Sequence, residues 1–124
     1  MLVIMMGKYN NKKTYIGNIK FDSQLEAEYY TYLQENRDKL GICEIELQVP
    51  FLLINTIRYN GHTYSKIQYK SDFKVTYING GIEVLDTKGV ETSVFKLKRR
   101  LLLERYPNIN FYCVKKVKGQ WIKY

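Results

Sequence analysis

The amino-acid sequence predicts an α/β (α+β) fold: a central mixed sheet of about four to five strands flanked by helices. Three observations carry that expectation. Two segments, 22–41 and 92–107, repeat apolar residues at helical period. The runs between and after them are strand-like, and Asn79-Gly80-Gly81 joins two of those runs as a hairpin. The order is helix, three strands, helix, strand, which describes a mixed sheet with helices packed on it.

Each element has its own local signal. Met1 to Met6 ("MLVIMM") is apolar but too short for a signal-peptide core or a bilayer span, and no later stretch supplies one. A soluble protein with no membrane partner is expected. Gly7 to Ser23 is polar and basic; it reads as a loop or arm, with a short strand from Tyr15 to Phe21. From Asp22 the pattern turns helical, with Leu25, Tyr29, Tyr32 and Leu33 in one stripe and Gly41 as the stop. Glu44 to Tyr59 is strand-like, and Pro50, which cannot donate to a ladder, argues for an edge or a bulge. "NGHTYSK" (Asn60 to Lys66) reads as a turn. "IQYKSDFKVTYI" and "GIEVLDTKG" are the two hairpin strands. The second helix ends at Pro107, and Ile109 to Val117 and Gln120 to Tyr124 close the chain as strands.

A chain of 124 residues has room for one core, so residues 1–124 are expected to form a single domain. Its 20 Lys and Arg against 12 Asp and Glu leave +8, a field that attracts nucleic acid first and anionic membrane second. Cys43 and Cys113 sit in apolar contexts with no His or Cys at ligand spacing. They read as reduced core residues of an intracellular protein.

Asp86 and Lys88 pose a chemical question. They lie two apart at the end of an apolar strand, so they point the same way. Phosphodiester hydrolysis needs an activated water and a neutralised phosphorus, and carboxylates holding Mg²⁺ supply both. A neighbouring lysine orients the water or stabilises the developing charge. Asp72, in the strand before the hairpin, offers the second acid. A two-residue turn at Asn79-Gly80 pairs Asp72 with Thr87 and separates the acids. A three-residue turn, Ile78 to Gly80 with Gly80 left-handed, pairs Asp72 with Asp86. The sequence permits either.

Asp72, with "DTK" (Asp86, Thr87, Lys88) 14 positions on in an apolar strand, resembles the signature of the PD-(D/E)XK nuclease superfamily. Ser71 stands where that signature carries proline. The run "KFDSQLEAEYY … QVPF … YKSDF … IEVLDTKG … FKLKRR … YP" looks like a small phage and prophage family of the superfamily, over roughly Gly7 to Cys113. The resemblance implies a restriction-endonuclease-like fold, with Mg²⁺ (Mn²⁺ as substitute) on Asp72 and Asp86 and with Lys88 assisting the nucleophile. It also implies an acid from the first helix. Glu26 is the candidate, although Ser23-x-x-Glu26 is equally a capping box; Glu28 is the fallback. From the second helix it implies a polar residue in the site, for which Lys98 has the right helical phase.

That phase follows from taking Val94, Leu97 and Leu101 as the core stripe of the second helix, with Phe95 and Leu102 beside it. Lys96, Arg99 and Arg100 then share the opposite face, as phosphate contacts or as a solvated surface. Glu83 points away from Asp86 and reads as structural. Gln48 either assists the site or satisfies a strand, His62 reads as a surface residue, and most of the 12 tyrosines read as core.

The expected protein is a metal-dependent endodeoxyribonuclease of the cytoplasm, the host's if phage-encoded. Its expected partner is DNA, with recombination or branched intermediates as substrates, and a homodimer is the natural arrangement for cutting two strands. The rival readings are a non-catalytic nucleic-acid-binding module and an interaction protein on a nuclease fold that has lost turnover.

Overall fold

The computed structural model describes residues 2–6 and 12–124. It begins with a three-stranded antiparallel sheet, β1 (Leu2–Met6), β2 (Lys12–Ile16) and β3 (Ile19–Phe21). The expected arm at the N-terminus is therefore mostly strand, apart from residues 7–11, which lie outside the described residues. The expected strand from Tyr15 to Phe21 is broken by a turn at Gly17, whose φ of +58° suits glycine.

Two helical pieces replace the single one expected: α1 (Gln24–Glu35) and the short α2 (Arg37–Leu40). Ser23 caps α1, its Oγ accepting the Glu26 N–H at 3.0 Å, and Gly41 ends the run in the left-handed conformation. Next come β4 (Ile42–Ile54), β5 (Ile57–Tyr59), β6 (His62–Tyr64), β7 (Ile67–Tyr77) and β8 (Ile82–Thr87). The helix α3 (Ser93–Arg105), capped by Thr92, then leads to β9 (Phe111–Val117) and β10 (Gln120–Lys123).

The fold is α+β around a five-stranded mixed sheet in the order β10-β9-β8-β7-β4. Only β8 and β9 run parallel, and α3 is the crossover that such a pair requires. Val84 to Thr87 of β8 are all buried, as befits a central strand covered on both faces. Tyr29 and Leu33 of α1 pack with Phe21, Phe73, Val75, Leu85 and Val114, and Phe95 and Leu102 of α3 pack with Leu53, Tyr69 and Cys113. Cys113 and Val114 are neighbours on β9 and belong to different clusters, so the two helices cover opposite faces. Pro50 lies on β4, the edge strand, as its missing donor predicts.

Four expectations change. Asn60 to Lys66 is not simply a turn: β5 and β6 pair across Asn60-Gly61, both at positive φ as in a type I′ hairpin. His62 thus sits on a strand, exposed. Cys43 is exposed, at an irregularity in the β4–β7 ladder between Ile42 and Glu44, and only Cys113 is a core residue. The α3 stripe is also different: Phe95 and Leu102 are buried, whereas Val94 and Leu97 are 63% and 61% exposed. The helix is rotated by about a third of a turn from expectation, because it is apolar on more than one face and the sheet takes the aromatic one. That rotation carries Arg99 inward, away from the exposed Lys96 and Arg100. Among the described residues no helix is long and apolar enough to cross a membrane.

Candidate active site at a strand fork

The β7–β8 turn is the three-residue one. Tyr77 N–H donates to the Gly81 carbonyl at 2.8 Å, and Gly80 has a φ of +89°. The ladder then runs from Thr76–Ile82 to Phe73–Leu85, and one step further its register sets Asp72 against Asp86. There the backbone rungs stop and the side chains take over. Asp86 Oδ1 accepts the Asp72 N–H at 2.7 Å. Asp72 Oδ2 accepts the Thr87 N–H at 2.9 Å and the Thr87 hydroxyl at 3.0 Å. Each carboxylate satisfies a donor of the other strand, so β7 and β8 part without an orphaned N–H. Beyond this fork β7 continues, paired only with β4.

Asp86 is 2% exposed, which follows from its place on the central strand. Its Oδ2 accepts the hydroxyl of Tyr69 and lies 3.4 Å from the Lys88 ammonium. That ammonium also sits 3.9 Å from the centre of the Phe95 ring, so an aromatic face on one side and a carboxylate on the other fix its position. The Lys88 N–H, donating to the Val114 carbonyl at 3.0 Å, anchors the chain as it leaves the sheet.

Glu26 reaches the same region from the first turn of α1. It is 4% exposed, and its Oε1 accepts the Gln48 amide at 2.8 Å. Gln48 lies on β4 between the rungs Leu47–Phe73 and Val49–Ser71, level with Asp72, at a φ of +51° that glutamine rarely adopts. Ser23 caps the helix as expected, while the Glu26 carboxylate turns inward to Gln48.

The three acids are poorly neutralised. Burial raises the pKa of Asp86, against the Tyr69 hydroxyl, the Asp72 N–H and Lys88. Burial, then the charge of Asp86, pushes Asp72 up to about 6, opposed by Thr87 and Lys88. Burial, then the charges of Asp72 and Asp22, pushes Glu26 up to about 8. Clustered carboxylates with raised pKa values and one nearby ammonium describe a place suited to added positive charge.

The donor set fits Mg²⁺ in part. Among the described residues no three His, Cys, Asp or Glu side chains group closely enough to hold an ion, so Glu26 does not complete the expected set with Asp72 and Asp86. Two carboxylates with water and substrate phosphate are nonetheless the usual Mg²⁺ complement. No hydrogen bond from a described side chain ends on Asp72 Oδ1, which leaves that oxygen open to a cation.

The remaining candidates divide. Lys98 is half-buried on the sheet-facing side of α3 and forms no ion pair with a described residue. Arg99 is a brace and not a surface contact: it pairs with Glu91 at 3.0 Å and lies over the Phe95 ring at 4.9 Å. Lys96 and Arg100 are exposed, the latter bridging to Glu104 at 3.3 Å. Glu83 is structural as expected, accepting from Tyr77 and Lys123. Glu28 lies with Tyr32 and Trp121 in a groove of about 550 Å³ that contains none of the site residues. Sequence reasoning missed Tyr69 and Phe95, both read as core, and Thr87, the middle residue of the motif.

Fold and site together define an α+β domain whose mixed sheet presents paired carboxylates and a lysine at a strand fork. The chain belongs to the family described as Protein of unknown function (DUF1064), which matches residues 6–121. Comparisons with curated proteins and with solved structures found no match.

Proposed function

We propose that this protein is a Mg²⁺-dependent endonuclease acting on DNA, a member of the PD-(D/E)XK superfamily that its motif resembles. The observation that carries the proposal is the fork: Asp72 and Asp86 exchange strand contacts there, with the Lys88 ammonium 3.4 Å from Asp86. Asp72 and Asp86 would hold the ion, with Mn²⁺ as a substitute. When bound, the ion would lower the pKa of its water and neutralise charge on the phosphate. Lys88, fixed by the Phe95 ring, would supply the ammonium that orients the water or stabilises the developing charge. Tyr69 and the Asp72 N–H hold the Asp86 carboxylate in one orientation. Glu26, pushed up to about 8 by burial, is a further acid that can ionise once positive charge arrives.

The +8 charge and the exposed Lys96 and Arg100 suit a polyanionic substrate, with half-buried Lys98 as a further cation on α3. A pure polyanion binder gains nothing from carboxylates clustered where phosphate approaches. One observation favours the other rival, a nuclease fold without turnover: Glu26 does not complete a three-carboxylate group. Action on recombination intermediates, a homodimer and a cytoplasmic location belong to the same proposal.

A cleavage panel of duplex, single-stranded and branched DNA with Mg²⁺ or Mn²⁺ tests it. The wild-type chain should cut at least one substrate. Lys88→Ala should slow that cleavage by roughly a hundredfold or more while Mn²⁺ affinity changes little, because the carboxylates remain. No cleavage of any substrate, or cleavage indifferent to Lys88→Ala, would overturn the proposal.

A further inference from the structure

Every residue from Ile54 to Ile67 is exposed. Yet this stretch carries Ile57, Tyr59 and Tyr64 at 56%, 65% and 53% exposure. A hairpin standing off a sheet has no core to fill, so large apolar side chains on it lack a folding role. The β5–β6 register gathers them: Ile57, Tyr59, His62 and Tyr64 share one face, and Arg58 and Thr63 share the other. The second face is self-contained, since Arg58 donates to the Thr63 hydroxyl at 2.8 Å and to the Gly61 carbonyl at 3.2 Å. The aromatic face has no such closure.

Charge indicates what covers it. Between Glu46 and Asp72 the chain has no carboxylate, while Arg58, Lys66 and Lys70 are cations. A second copy docking its own arm would set like charge against like. A nucleic-acid strand supplies phosphates for the cations and flat rings for the tyrosines. A continuous duplex keeps its base faces stacked on one another, so the face suits unpaired bases. The arm is also well placed: β8 ends at Thr87, while β4 and β7 run on, paired, to Ile54 and Ile67. Five residues separate Asp72 from Ile67, about 17 Å at strand rise.

We propose that the β5–β6 hairpin is a base-stacking arm. Tyr59 and Tyr64, with His62 beside them, stack on unpaired bases of a nucleic-acid strand whose backbone passes the Asp72–Asp86 fork. The substrate is then single-stranded or branched DNA and not continuous duplex. The link to cleavage rests on the nuclease reading; the stacking does not.

The test uses the full chain in EDTA, a short single strand carrying 2-aminopurine, and a blunt duplex of the same sequence. Binding should quench the 2-aminopurine emission. Tyr59→Ala with Tyr64→Ala should weaken single-strand binding about tenfold or more and leave duplex binding nearly unchanged. Tyr59→Phe with Tyr64→Phe should retain both affinity and quenching, because the rings remain. Unchanged emission together with wild-type affinity of the alanine pair would overturn the arm, even if Mg²⁺-dependent cleavage is found. So would sedimentation showing a wild-type dimer that the alanine pair dissolves. Quenching and tyrosine dependence with no cleavage under any metal would sustain the arm and overturn the nuclease reading alone.

Discussion

Asp86→Asn should abolish metal-dependent cleavage while leaving the chain folded and able to bind DNA. Asparagine keeps its one oxygen for the Asp72 N–H, and its NH₂ takes the place of Oδ2, where it can donate to a Tyr69 hydroxyl that turns from donor to acceptor, so the fork keeps both contacts. What disappears is the charge that would hold the cation and that pairs with Lys88 at 3.4 Å. The single-turnover rate should fall by at least about a thousandfold, the upper range for losing one preorganised electrostatic contact. Metal-free binding should persist or tighten, since one negative charge has left the fork that phosphate would approach. Asp86→Ala should be as inactive but also less stable, by ~1–3 kcal/mol, because it leaves the buried Tyr69 hydroxyl and the Asp72 N–H without their acceptor. Wild-type cleavage by Asp86→Asn would remove Asp86 from the chemistry.

The second large effect is on stability and depends on pH. Glu26 is pushed from 4.5 up to about 8, and Asp72 from 3.8 up to about 6. Both shifts are upward, so over this range the folded chain keeps protons that the unfolded chain releases. Stability linked to these groups is fully present below pH 4 and is lost as pH rises to about 8. Glu26→Gln removes one titration and keeps an oxygen for the Gln48 amide. Its advantage over wild type should be small at pH 4 and grow to the order of 4 kcal/mol at pH 8, without divalent cation. Urea unfolding of both proteins across this range reads the difference. A difference that stays flat with pH would mean that Glu26 ionises normally.

Much of the fold was legible because its signals are local. The Asn79-Gly80-Gly81 turn, the Ser23 cap, the Gly41 stop and the Pro50 edge position each follow from one residue type in one backbone state. The site was legible only as far as the two turn lengths, and the left-handed Gly80 decided between them. What the residues did not announce came from tertiary packing. Period alone does not say which apolar stripe of α3 the sheet will accept, and burial of Phe95 turned Arg99 inward to Glu91. The positive φ of Gln48, level with Asp72, lies at a place where a regular β4 would be expected. Tyr69 looked like any strand tyrosine, since its bond to Asp86 spans 17 positions. The N-terminal strands carry too little alternation to stand out from a basic loop.

Cleavage by this route requires a divalent cation held by Asp72 and Asp86 at the fork, with Glu26 behind them outside that pair of ligands. Calorimetric titration of the full chain with Mn²⁺ at pH 7, in two buffers of different ionisation enthalpy, tests it most directly. Saturable binding is expected, accompanied by release of about one proton, as the arriving charge ionises Glu26, which burial pushes up to about 8. Asp72→Asn and Asp86→Asn should each weaken that binding. Heats that show no saturable binding, or binding with no proton release and no response to either variant, would contradict it.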